Sequence, residues 1–174
     1  MLRIWQLRAI ATLEAAAASA HVFDTKKVWD SLYYLGNKIV SIAVSVVANA
    51  EAFPARRRRT FTLDHGIELI MSTALMCRDP GLRQRAIDVL RRYPSRGGLY
   101  DSMLVTCVCE CAAQIEEAAA QHAKGPSDIP AWARIDSVLP TFRFGDRHAV
   151  DQITRQQHGL SSGPKEVFEE VISW

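Results

Sequence analysis

Residues 77–90 have the sequence CRDPGLRQRAIDVL, which predicts a helix boundary. The carboxylate of Asp79 can accept hydrogen bonds from the free amides of a first helical turn, and Pro80 suits the first helical position because its missing N–H is not needed there. Apolar residues follow at helical spacing and predict a buried face. The arginines on the other face are expected to point toward solvent or a carboxylate partner: Arg83, Arg85 and Arg92. We therefore expect a helix that begins at Pro80.

Helical periodicity extends on both sides of this boundary. Upstream, one helix is expected from Asp24 or Thr25 through Gly36 to Ala52, and another from Thr62 or Asp64. Downstream, residues 95–98 form a turn, and apolar spacing from Leu99 to Ile115 predicts a further helix. Helices joined by so short a loop pack antiparallel. The predicted fold is all-α, a helical bundle with antiparallel helical hairpins.

The composition changes after residue 126, where prolines become frequent. This segment is predicted to be a loop-rich closure that holds a short β element. The alternation at Phe142 and Phe144 favours one edge strand against residues 135–139, and residues 167–174 form a last short helix or strand. We expect a single domain over residues 1–174, with a helical core at 1–126 and the closure at 127–174.

Composition limits the classes of partner. The chain has 174 residues, 48% of them hydrophobic, and a formal net charge of +2. These values favour one folded core over disorder or a strongly charged partner. The apolar segment 39–50 is too short to span a membrane. Four cysteines do not indicate a disulfide scaffold, so an intracellular location, cytoplasmic or nuclear, is expected.

Several motifs occur in an order that is typical of one family. Residues 77–90 precede Gly98-Leu99-Tyr100-Asp101-Ser102, the helix closes with Ile115-Glu116-Glu117, and residues 61–67 and 171–174 flank this core. The set resembles the carboxy-terminal regulatory region of fungal binuclear-zinc-cluster transcription factors. Two positions depart from that pattern, because Tyr100 stands where the family usually has tryptophan and Gly98 where it often has glutamate.

The resemblance implies a helical domain that senses effectors or partners while a separate region reads DNA. A binuclear zinc cluster needs more closely grouped cysteines than the four present here, so we expect no direct DNA binding. The chain is then either a shortened relative used alone or a fragment of a longer protein.

The first hypothesis is a binding module that holds a hydrophobic metabolite, a protein partner or a second copy of itself in a homodimer. A pseudo-regulator that dimerises with longer relatives is a variant of this hypothesis. Aromatic and methionine side chains are the expected lining of an apolar pocket. The candidate ligand-binding residues are Trp29, Tyr33, Phe61, Met71, Met103 and Trp132.

The alternative is a cofactor-independent isomerase, cyclase or lyase of fungal secondary metabolism. His65 or Asp64 would be the acid–base group, because an imidazole titrates near neutrality and Glu68 lies close in sequence. Tyr100, Arg78 and Asp101 would orient the substrate or stabilise charge.

The competing interpretation of these residues is structural. Asp101 can cap a helix begun at Gly98, and Glu116 or Glu117 can pair with an arginine of the preceding segment. The candidate arginines are Arg83, Arg92 and Arg96. The histidines never occur at the spacing that places two imidazoles on one helical face, and Cys107, Cys109 and Cys111 are typical of core packing, so no metal site is expected.

Overall fold

The computed structural model describes residues 10, 33–52, 66–97, 100–120, 125–143, 148–156 and 164–173. Its α-helices are α1 (Tyr33–Ala52), α2 (Ile67–Met76), α3 (Pro80–Arg92) and α4 (Ser102–Ala120). Its strands are β1 (Arg96–Gly97), β2 (Tyr100–Asp101), β3 (Ile135–Arg143), β4 (His148–Gln156) and β5 (Lys165–Ser173). Two 3-10 turns, Pro126–Asp128 and Ala131–Ala133, separate α4 from β3. The chain divides into two compact units, residues 1–106 and residues 107–174.

In the first unit α1, α2 and α3 pack against one another. The helical period places aliphatic side chains on one face of each helix, and these faces form the core. Val40 and Val47 of α1, Ile70 of α2 and Leu90 of α3 are buried there. The upstream half of the helix expected from Asp24 lies outside the described residues, as does the expected start at Thr62 or Asp64.

Gly36 is a point of close contact between α1 and its two neighbouring helices. A β-carbon at this position would lie 3.2 Å from Leu82 Cδ2 and 3.2 Å from Thr73 Cγ2. Such distances are shorter than ordinary carbon–carbon contacts, so a larger side chain would push the helices apart. The glycine therefore allows α1 to lie close to both α2 and α3.

The boundary between α2 and α3 is the corner that the sequence predicted. Asp79 Oδ1 accepts a hydrogen bond of 2.8 Å from the Leu82 amide, and α3 begins at Pro80. The predicted helix start is therefore confirmed.

Two arginines close the end of α2 at this corner. Arg83 Nε donates to the Ala74 carbonyl at 3.0 Å, and Arg78 Nη1 donates to the Met76 carbonyl at 2.7 Å. Both side chains are only 4% exposed. The last carbonyls of a helix have no intrahelical donor, and cationic donors there also suit the helix dipole. Arg83 was expected to point toward solvent or a carboxylate. The expectation that it faces solvent is wrong, because its side chain is buried and donates to a carbonyl at the end of α2.

A short hairpin precedes α4 where a helix was expected to start. Arg96 and Gly97 pair antiparallel with Asp101 and Tyr100, and α4 begins at Ser102. Asp101 Oδ1 accepts a hydrogen bond of 2.9 Å from the Met103 amide. Asp101 thus caps the helix as proposed, although the helix starts four residues later than Gly98.

The second unit holds a three-stranded antiparallel sheet in the order β3-β4-β5. Asp151 of the central strand pairs with Pro140 on one side and with Glu170 on the other. Proline has no backbone N–H to donate to a neighbouring strand. Pro140 is tolerated because β3 is an edge strand, which pairs on one side only.

The all-α prediction is wrong, since this sheet makes the fold a mixture of helices and strands. The segment expected to be loop-rich with a short β element contains strands of nine residues each. Residues 135–139 and Phe142 were expected to lie in opposing segments, but they belong to the single strand β3, whose partner is β4. Phe144 lies outside the described residues.

The later part of α4, residues 107–120, lies against the inner face of the sheet. Glu116 Oε1 accepts a hydrogen bond of 2.8 Å from the Ile135 amide, and Arg155 Nη1 donates to the Ile115 carbonyl at 3.4 Å. The side chains of Ala149, Asp151 and Ile153, which alternate along β4, are fully buried on this face. No described helix combines the length and the hydrophobicity that crossing a bilayer requires.

Candidate functional site

The residues of the enzyme hypothesis are held by structural contacts where they are described. Arg78 is bound to the end of α2, and Asp101 caps α4 and also pairs with Arg96 Nε at 2.6 Å. Tyr100 is half-buried on β2, opposite Gly97. The proposed acid–base groups, Asp64 and His65, lie outside the described residues. The enzyme hypothesis is therefore untested and stays a prediction.

The candidate ligand-binding residues occupy different settings. Tyr33 is 41% exposed at the start of α1, and Met71 and Met103 are half-buried on α2 and α4. Trp132 belongs to the second unit, where it lies in a 3-10 turn. Trp29 and Phe61 lie outside the described residues, so the predicted apolar pocket also stays a prediction.

Trp132 takes part in a cluster around Arg155. The guanidinium carbon lies 5.6 Å from the centre of the Trp132 ring and 4.8 Å from the centre of the Phe168 ring. Arg155 Nε also donates to Glu166 Oε2 at 2.8 Å. A cation held between aromatic faces and a carboxylate has little freedom to change partners. This cluster joins β4, β5 and the second 3-10 turn, and we interpret it as structural.

The arginines proposed to pair with Glu116 or Glu117 have other contacts in the described structure. Arg92 Nη2 lies 2.8 Å from Glu51 Oε2, and Arg96 pairs with Asp101 as above. Arg92 thus meets a carboxylate, as its position on α3 predicted. Glu116 is buried and accepts the Ile135 amide, so it fastens α4 to the start of β3.

Asp151 is the buried charged group of the second unit that stands apart from these structural contacts. Its side chain is completely buried, yet neither carboxyl oxygen accepts a hydrogen bond from any part of the chain that the structure describes. Burial raises the pKa of this carboxyl above its ordinary value. An unpaired polar group in a protein interior costs about 1–3 kcal/mol, and an ionised one costs more. The residue is thus an unsatisfied acceptor at the centre of the sheet.

Two acidic groups surround Asp151 on this inner face. Glu170 lies directly opposite it on β5 and is exposed. Cys111 of α4 is half-buried, and the pKa of its thiol is raised by burial and then by the negative charges of Glu170 and Asp151. These effects place the three side chains within electrostatic reach of one another.

The outer face of the sheet carries exposed aliphatic side chains among polar ones. We define it by the outward-pointing residues of the central rows, which are Ser137, Leu139, Thr141, Val150, Gln152, Thr154, Val167, Glu169 and Val171. The exposed fractions are 60% for Leu139, 56% for Val167 and 69% for Val171. Strands with one solvated face usually alternate between apolar inward and polar outward residues. The aliphatic side chains at these outward positions are therefore candidates for a contact surface.

The described residues contain no group of three or more His, Cys, Asp or Glu side chains that could hold a metal ion. Cys77 and Cys109 are buried, whereas Cys107 and Cys111 are half-buried, and all four are free thiols. Core packing of the cysteines was thus expected correctly for Cys109, while Cys107 and Cys111 lie at the margin of the core.

No protein-family model, no curated protein and no solved structure matches this chain. The resemblance to fungal transcription factors therefore stays a prediction that depends on the quoted motifs.

Sequence reasoning missed both features of the sheet. Asp151 occupies an inward position of β4, where an apolar residue is expected, and it hides the alternation by which the strand could have been recognised. Residues 167–174 were expected to form a short helix or strand without an assigned face, and the register of β5 turns Val167 and Val171 outward and places Phe168 and Ile172 on the inner face. Only the strand register, which the sequence does not specify here, separates the two faces.

Proposed function

We propose that this chain is a binding module that holds a protein partner on the outer face of its sheet, and that the partner is a second copy of the chain. The observation that carries this proposal is the exposure of Leu139, Val167 and Val171 on one face. Fully burying an exposed aliphatic side chain yields roughly 1.5–3 kcal/mol, and these side chains are 56–69% exposed, so each can contribute a little more than half of that. Exposed aliphatic residues on one face support an interaction site, and Val171 lies directly opposite Val150 of β4 within this face.

A second copy suits the composition of this face. The outward residues between the aliphatic ones are Ser, Thr and Gln, and Glu169 is already bound by Gln152 Nε2 at 3.0 Å. Pairing two such faces about a twofold axis buries aliphatic side chains against each other and few charges. Charged or titratable residues lie at the ends of the outward rows, as in the polar rim of a typical interface: His148 and Lys165.

The structural contacts also favour binding over catalysis. The polar groups of Arg78 and Asp101 are used to close helix ends, which supports a positioning role in the fold over charge stabilisation in a reaction. A cytoplasmic or nuclear location suits a module whose described cysteines are free thiols. Binding of a hydrophobic metabolite remains the second form of this hypothesis, with the residues given in the sequence analysis.

Sedimentation equilibrium over a concentration series tests the proposal. The unmodified chain should form a dimer, and the double variant Leu139→Ser, Val171→Ser should be monomeric at the same concentrations. Both side chains are exposed, so the variant should unfold at nearly the same urea concentration as the unmodified chain when both are diluted below the concentration at which the dimer forms.

The matched control is Tyr34→Ser, which removes an aromatic side chain that is 59% exposed on α1. This control should leave the dimer intact. A monomeric unmodified chain, or a dimer that resists the double variant, would contradict the proposal.

A further inference from the structure

The inner face of the sheet carries a second site, distinct from the outer contact surface. Asp151 contributes two buried carboxyl oxygens without a hydrogen-bond donor among the described residues, and Glu170 lies directly opposite it. Directly opposed residues of antiparallel strands have β-carbons about 4.5–5.5 Å apart, and like charges in such pairs repel. The pair therefore has an excess of acceptors and of negative charge.

The surrounding elements offer no counter-charge among their described side chains. Cys111 is the titratable group that α4 turns toward the pair, and its thiol is neutral or negative. Along β4, the neighbours on the same face are Ala149 and Ile153. On β3 the directly paired position is Pro140, which has no charged side chain. Arg155 lies further along this face, where Glu166, the Ile115 carbonyl and two aromatic rings hold it.

We propose that Asp151 and Glu170 form a binding site for a guanidinium group, carried by a small molecule or by an arginine side chain of another protein. A guanidinium is planar and presents parallel N–H donors, so one edge can satisfy both oxygens of Asp151 while another N–H reaches Glu170. An ammonium group has no such planar fork and cannot donate in parallel to both oxygens in the same way.

The position of the pair in the sheet defines the approach. Asp151 lies one strand inside the β5 edge, and neighbouring strands are about 4.8 Å apart. Glu170 is exposed at that edge, so an approaching cation meets it before it reaches the buried carboxyl. Binding also has a defined dependence on pH. A bound cation stabilises the ionised carboxyl, whose pKa burial raises in the free protein, so affinity should rise as pH rises.

The test is a titration of the full chain, with carbon-13 in its aspartate carboxyls, followed by NMR. The probes are methylguanidinium, methylammonium and the neutral isostere methylurea, each at concentrations too low to unfold the protein. The Asp151 signal is identified by its absence from Asp151→Asn. Methylguanidinium should shift this signal saturably, and methylammonium should bind at least about tenfold more weakly.

The variants locate the site. In Asp151→Asn, thermal unfolding should show no stabilisation by methylguanidinium beyond that given by methylurea. Glu170→Gln should weaken binding by about threefold or more, as expected for loss of an exposed charge. Glu169→Gln is the matched control, because it removes a neighbouring carboxylate that points to the outer face, and its affinity should equal that of the unmodified chain.

A final pair of titrations separates the two sources of the group. Tighter binding of acetyl-arginine-amide than of methylguanidinium would support a protein side chain, and the reverse order would support a small molecule. The proposal is overturned if methylguanidinium does not saturate the Asp151 signal, if methylammonium binds equally well, or if Glu169→Gln weakens binding as much as Glu170→Gln. None of these outcomes depends on dimerisation through the outer face.

Discussion

Both units of this protein bury charged side chains, but the two sets differ in how their polar atoms are used. At the corner of the first unit, Arg78 and Arg83 donate to carbonyls that end α2. Beneath the sheet of the second unit, Asp151 is buried as deeply and accepts nothing from the described chain. A buried charge that completes a helix end belongs to the architecture. A buried charge without a hydrogen-bond donor destabilises the fold unless a ligand supplies the donor, and within the described chain Asp151 is such a group.

The largest expected effect is at the satisfied corner. Arg83→Met should lower the free energy of unfolding by about 3 kcal/mol, because it removes a charged hydrogen bond to the Ala74 carbonyl and leaves that acceptor buried. Urea unfolding measures the change. Arg91→Met is the control, since its side chain is 47% exposed and its ion pair with Asp88 should contribute less than about 0.5 kcal/mol. An equal loss of unfolding free energy in Arg83→Met and Arg91→Met would show that the buried hydrogen bond of Arg83 contributes no more than an exposed ion pair.

Close packing in the first unit gives the next effect. Gly36→Val should lower the free energy of unfolding by about 2 kcal/mol, because its added carbons meet Leu82 and Thr73 at less than contact distance. Gly81→Val is the matched control on α3, where the nearest atom to an added β-carbon is Asp79 Oδ1 at 3.5 Å. The control should be within about 0.5 kcal/mol of the unmodified chain. A tolerated Gly36→Val in thermal unfolding would show that α1 can move away.

The unsatisfied carboxyl should behave in the opposite way to Arg83. Asp151→Asn should raise the free energy of unfolding by about 1 kcal/mol at neutral pH, because the amide carries no charge to bury. The folded state raises the pKa of Asp151 above 3.8, so it favours the protonated form. The contribution of the Asp151 carboxyl to the free energy of unfolding, measured as the difference between the unmodified chain and the variant, is therefore largest below pH 3.8. This contribution is lost as pH rises from there through the folded-state pKa.

Urea unfolding at a series of pH values measures this difference. The control is Glu169→Gln on the outer face. The difference in free energy of unfolding between this variant and the unmodified chain should not increase with pH in the same way. A variant Asp151→Asn that is less stable than the unmodified chain at neutral pH would mean that the carboxyl has a structural partner.

The smallest effect concerns the thiol beside the two carboxyls. Burial, then Glu170, then Asp151 raise the pKa of Cys111, so its alkylation by iodoacetamide should be slow at neutral pH. Glu170→Gln should speed this alkylation roughly twofold to threefold, and Asp151→Asn should speed it less. Peptide mapping by mass spectrometry isolates the Cys111 rate from that of the other cysteines. Unchanged rates in both variants would show that the three groups are not coupled.

The corner was predictable from sequence because its signals are local. An aspartate before a proline specifies a helix start by the chemistry of the first turn alone, and α3 begins where this chemistry places it. The start of α4 was misplaced because the pairing of β1 with β2 leaves little periodic signal in two residues each.

The sheet was missed because its signals depend on distant pairing. In β4 the inward Asp151 interrupts the apolar alternation, and in β5 the outward Val167 and Val171 are as apolar as the inward Phe168 and Ile172. A strand exposes its two faces to different surroundings only after its partners are in register, so neither feature could be recognised before the fold was known. The guanidinium site follows from that register, and no motif in the sequence indicates it.

The two ends of the sheet ladder bear on the behaviour of this protein in concentrated solution. Open strand edges are templates on which further chains can add to form fibrils. Pro140 interrupts the backbone N–H groups of β3, since proline has no N–H to donate to an added strand. The opposite edge, β5, carries Lys165, Glu166, Glu169 and Glu170, whose charges repel an identical strand laid alongside. Growth of fibrils from either edge is thereby hindered, and the chain can display aliphatic side chains on a sheet face without its edges seeding aggregation.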